Sequence, residues 1–130
     1  MDSSILMTEE EMTLRTGQKE DSFDLVIEKW QRIHQYLNHA FTRDDYVVAL
    51  EASQVVIPFC RTYAAHRNCS NCPILLICQG EDVEGESLWS GLYRLLQAYG
   101  WAGDFLAPEP LLDYLGRFLD ALKRANEPSV

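Results

Sequence analysis

SFDLVIEKWQRIHQYLNHAF, residues 22–41, decides the fold class. Phe23, Val26, Ile27, Trp30, Ile33, Leu37 and Phe41 recur at three- and four-residue spacings and make one apolar stripe, the pattern of an amphipathic helix. His34 and His39 flank the stripe, where they cap or meet solvent rather than ligate. Thr42-Arg43-Asp44-Asp45 then reads as a helix start. The Thr42 hydroxyl can accept an amide of the first turn, and the two aspartates suit its positive end. Tyr46, Ala49, Leu50, Ser53, Val56 and Ile57 continue this second helix up to Pro58, which kinks or ends it.

The period returns downstream. Leu88, Leu92, Leu95, Leu96 and Tyr99 predict a third long helix stopped by Gly100. Trp101 to Pro110 reads as a connection. Leu111, Leu112, Leu115, Phe118, Leu119 and Leu122 predict a fourth helix, with Lys123 and Arg124 at its negative end. Strand alternation, repeats and low-complexity tracts are absent. The reading is an all-α protein, a small bundle of four main helices plus a short helix. Residues 22–130 form one domain, and 1–21, with the triplet Glu9, Glu10 and Glu11, form a mobile acidic tail.

All four cysteines of the chain fall between the second and third long helices, as Cys60-x8-Cys69-x2-Cys72-x5-Cys78, with Pro73 after the third. Asn68 to Asn71 is turn-like, and Pro73 can start a short helix that carries Cys78 back toward Cys69 and Cys72. From Ala52 to Gly80 there is no Asp or Glu, in a chain with 20 of them, while Arg61, His66 and Arg67 lie inside that window. Thiolates on a metal concentrate negative charge, which carboxylates would repel and cations would stabilise. One four-coordinate centre is the leading reading. A redox-active dithiol and four unrelated core thiols are the alternatives. The first twenty residues are polar, without the apolar core of a secretory leader, so a cytoplasmic setting with reduced thiols is expected.

A single CxxC flanked by lone cysteines differs from the paired knuckles of zinc sites. The order of the cysteines resembles the 4Fe–4S loops of endonuclease III and adenine glycosylases, of some nucleases and of WhiB-like regulators. The glycosylase resemblance stops at the loop, because no helix-hairpin-helix precedes it. The WhiB-like resemblance extends from Cys69-Ser70-Asn71-Cys72-Pro73 through Cys78 to Ser87-Leu88-Trp89-Ser90-Gly91, which loosely matches that family's Gly/Trp turn. It departs from the family in its short first gap, its missing flanking glycines and its lack of a basic tail. The resemblance implies a 4Fe–4S cluster on Cys60, Cys69, Cys72 and Cys78, with zinc as the alternative cofactor. The apolar run Ile74 to Ile77 could shield it from water.

Charge and motifs narrow the function. The formal net charge of −9, with 11 dispersed basic residues, disfavours direct nucleic-acid binding. No apolar run is long enough to span a membrane. GxGxxG, GxxxxGK[ST], HExxH and GxSxG are all absent, and a centre closed by four cysteines lacks an open catalytic position. The expectation is therefore a non-enzymatic regulatory or interaction protein that carries the cluster and acts through a protein partner. The alternatives are an acidic binding or inhibitor module with a purely structural zinc or cluster, a WhiB-like transcriptional regulator, and, more distantly, an electron-transfer or accessory subunit. The expected contact surface is Arg61, His66, Arg67 and Trp89, with the acidic loop Glu81, Asp82, Glu84 and Glu86 steering a basic partner.

Overall fold

The computed structural model describes residues 3–40, 42–80 and 87–126. Phe41 of the first stripe and the whole acidic loop, Glu81, Asp82, Glu84 and Glu86, lie outside the described residues. The expected all-α class holds: among the described residues there are six α-helices and short helical turns, and no strand. They are α1 (Glu9–Gly17), α2 (Ser22–Leu37), α3 (Arg43–Ser53), α4 (Leu75–Gln79), α5 (Leu88–Ala102) and α6 (Glu109–Ala125). α3 packs most extensively on α5, and α2 on α6.

The core follows the stripes. Leu25, Val26, Trp30, Ile33 and Leu37 of α2 meet Leu92 and Leu96 of α5 and Leu111, Leu115, Phe118 and Leu122 of α6 in one buried cluster. Aromatic rings gather at one end of it. Trp30 lies edge-on to Phe118 at 4.9 Å and to Trp89 at 5.8 Å between ring centroids, a geometry that ring quadrupoles favour. Two glycines permit close approach. A Cβ on Gly91 would stand 2.1 Å from the Tyr114 hydroxyl, and one on Gly103 would stand 2.4 Å from the Tyr46 ring.

Four elements depart from the sequence reading. Residues 9–17, expected in a tail, form α1. Thr8 caps it by accepting the Glu11 amide at 3.1 Å, and Met12 is fully buried. Arg15 pairs with Glu11, Glu20 and Glu28, and Arg32 pairs with Glu11 and Glu28, so charges on both helices tie α1 to α2. Second, α3 stops at Ser53, before Val56 and Ile57. Pro58 does not end that helix but opens the next helical turn, where its fixed φ fits and its missing N–H costs nothing. Third, α5 runs past Gly100 to Ala102, and the glycine at its end whose bare backbone the Tyr46 ring needs is Gly103. Fourth, α6 begins at Glu109, so Pro110 lies within its first turn rather than in the connection. The start of α3 is as read: the Asp45 carboxylate accepts the Thr42 amide at 3.2 Å, the reciprocal half of a capping box.

Candidate metal centre

Three consecutive segments between α3 and α5 carry the cysteines. Cys60 opens a wide turn of helix, Cys60–Ala64, in which the Ala65 amide reaches back five residues to the Cys60 carbonyl at 3.0 Å. Such widened turns often occur at functional sites. Arg67 then takes a left-handed φ of 54° and reverses the chain. Cys69 begins a single tight turn, Cys69–Asn71, closed by the Cys72 amide on the Cys69 carbonyl at 2.9 Å. Cys78 lies on α4, whose start past Pro73 returns the chain toward the turn.

These segments bring all four cysteines to one cavity of about 270 Å³, walled also by Tyr63, Ile74 and Trp89. Among the described residues, no carboxylate lines it. All four thiols are free of disulfides. Burial pushes the Cys78 thiol up to about 11, and the neighbouring Cys60, Cys72 and Cys69 push the same way. Cys60 is exposed as a residue, yet the part of it that lines the cavity is desolvated, and that burial raises its thiol as well. Cys72 and Cys69 add to the rise at Cys60, and at both thiols the positive charge of Lys29 opposes it.

Lys29 is the residue the sequence reading missed. It is only 4 % exposed, and its ammonium donates to the carbonyls of Ser53 and Val55, both at 2.9 Å. It also stands 4.9 Å from the centre of the Trp30 ring. With Cys60, Cys78 and Trp89 it lines a second cavity of about 190 Å³, and these last three residues belong to the wall of the first cavity too. Burial lowers its pKa from 10.5 to about 8, with Cys60 foremost among the neighbours that hold it up. The signal was present in the sequence: Lys29 falls three residues after Val26 and four before Ile33, on the apolar stripe itself.

The expected contact residues are placed differently from one another. His66 and Arg67 are exposed on the turn after Cys60–Ala64. Arg61, expected on the rim, is instead turned to α1, where its guanidinium donates to Thr13 at 2.7 Å and pairs with Glu9 at 3.3 Å. Glu9 also accepts the Val56 amide at 2.7 Å, so a carboxylate from outside the acid-free stretch reaches its edge. Trp89 is half-buried in the wall between the two cavities, packed on Trp30, Tyr93 and Phe118. The segment Ser87 to Gly91 is the capped first turn of α5, with the Ser87 hydroxyl accepting the Ser90 amide at 3.0 Å.

The donor set fits a thiolate-bound centre: four soft ligands, apolar walls and no carboxylate among the described lining residues. Arg61 Nε, one residue from Cys60, is buried without an acceptor, while the rest of its guanidinium is engaged on α1. As placed, the described residues hold no preassembled group of three His, Cys, Asp or Glu side chains around an ion position. The chain matches no family model, no curated protein and no solved structure. No helix among the described residues is long and apolar enough to cross a membrane.

Proposed function

We propose that this chain is a non-enzymatic regulatory or interaction protein whose four cysteines hold a 4Fe–4S cluster, and that it acts through a protein partner. The observation that carries the reading is the single cavity lined by Cys60, Cys69, Cys72 and Cys78. A cluster is preferred to zinc on the softness of four thiolate ligands and on the single CxxC flanked by lone cysteines.

A bound cluster would supply a one-electron redox centre. The chain's own residues would do the rest. Cys60 from its wide turn, Cys69 and Cys72 from the tight turn and Cys78 from α4 would donate the thiolates, clamping the loop between the long helices. Ile74 and Trp89 would keep water from one side. The exposed His66 and Arg67 would form the rim that a partner meets, and a change of charge at the centre would be felt there first. The overall negative charge favours a protein partner over duplex DNA.

Single-cysteine replacement tests the shared site. Cys60→Ser, Cys69→Ser, Cys72→Ser and Cys78→Ser are each expected to cut iron uptake to a similar low level and to lower helix content, since ligation free energy is part of folding free energy. Undiminished metal in any one of them would contradict a four-cysteine centre. A gel-shift titration of the metal-loaded protein with duplex DNA at low salt tests the partner class. No shift is expected, and tight binding that weakens steeply with salt would place a DNA-binding regulator first.

A further inference from the structure

Lys29 has no carboxylate within ion-pairing distance among the described residues, although it is almost wholly buried. A desolvated ammonium held by two backbone carbonyls and the Trp30 ring, with no charged partner in contact, is costly unless a negative charge stands nearby. The charged and titratable groups that reach it come from three elements: Cys60 of the wide turn, Cys78 of α4 and Glu9 of α1. Glu9 is already engaged by the Val56 amide and Arg61. The two cysteines share the cavity wall with Lys29. Arg61 is held toward α1, and His66 and Arg67 are exposed, so Lys29 is the buried cation on the thiol side.

We infer that Lys29 is the built-in counter-charge of the four-cysteine centre and sets its redox potential from behind the wall made by Cys60, Cys78 and Trp89. The inference rests on the cluster reading above. Reducing the centre adds one electron to a group that the four thiolates already make anionic, and a fixed positive charge favours that electron. Lys29 is a positioning residue here: it touches neither the iron nor the partner, and it acts through charge. A unit charge within roughly 10 Å, at an effective dielectric of about 20, changes such an equilibrium by about tenfold.

The test is a spectroelectrochemical titration of the anaerobically loaded wild type, Lys29→Gln and Lys29→Arg. Glutamine keeps a donor for the Ser53 and Val55 carbonyls and removes the charge. It is expected to lower the midpoint potential so that the reduced-to-oxidised ratio at a fixed potential falls about tenfold. Arginine is expected to restore most of it. A Lys29→Gln protein that loads iron fully and keeps the wild-type midpoint overturns the inference and leaves the cluster reading standing. Wild type that takes up no iron overturns both. Should Lys29→Gln fail to load, iron uptake decides: loading restored by Lys29→Arg supports a charge requirement, and loading lost in both overturns it in favour of packing at the Ser53–Val55 carbonyls.

Discussion

Lys29 and Gly91 show how single residues carry more than their type suggests. In metal-free protein the ammonium of Lys29 loses its proton near pH 8, whereas in the unfolded chain it does so near 10.5. Between those values the unfolded state holds more protons, so this group's contribution to stability rises with pH. The cost of burying the charge is fully present below pH 8 and is relieved by about pH 10.5. It amounts to about 3 kcal/mol. The raised thiols of Cys60 and Cys78 bind more protons folded than unfolded over a neighbouring range and act in the opposite sense. The comparison to make is therefore wild type against Lys29→Met by denaturant unfolding at several pH values. The wild type should gain about 3 kcal/mol on the variant between about pH 7 and pH 10.5, and a constant difference would contradict a desolvated ammonium. Gly91 is a matter of space. A methyl group there would overlap Tyr114 Oη, so Gly91→Ala displaces the Tyr114 ring end and breaks its hydrogen bond to the Leu88 carbonyl. A loss of about 1–3 kcal/mol is expected in thermal or denaturant unfolding, and an unchanged midpoint would mean that Tyr114 simply swings aside.

The elements divide into those that local pattern specifies and those that need the rest of the molecule. α2, α3, α5 and α6 were legible because their buried residues recur at helical spacing, as Leu25, Val26, Ile33 and Leu37 do in α2. α1 was not, because its only buried residue is Met12 and its other anchors are ion pairs to α2 and the reach of Glu9 to Val56 and Arg61. A local clue existed in Thr8-x-x-Glu11, a helix-start spacing. The boundary errors at Pro58 and Gly100 have one cause: neither residue type says by itself whether it begins, continues or ends a helix, and tertiary contacts decide. In the cysteine region the turn at Asn68–Asn71 and the short helix after Pro73 were readable from turn chemistry. The left-handed Arg67, the wide turn at Cys60 and the buried cation from α2 were not, since they depend on pairings across the fold. If α1 belongs to the domain, Met12→Ala should cost about 2–4 kcal/mol in a single cooperative transition. A cost below about 0.5 kcal/mol would make α1 an appendage.

At the scale of the molecule, four long helices build a core and the cysteine loop hangs between α3 and α5, backed by the Trp30, Trp89 and Phe118 rings. α1 closes one flank of that loop through Glu9, and α2 supplies Lys29 from beneath. The region most devoid of carboxylates in sequence is thus also the one where a buried cation, the Lys29 ammonium, shares a cavity wall with two of the thiols. A single shared centre on Cys60, Cys69, Cys72 and Cys78 is the claim on which the functional reading depends. Its most direct measurement is iron, zinc and acid-labile sulfide analysis of protein purified without oxygen, read together with the absorption spectrum. The predicted result is a brown protein with about four iron and four sulfide per chain and broad absorption near about 400 nm from thiolate-to-iron charge transfer. A colourless protein with one zinc per chain, or a folded one with no metal at all, would contradict it.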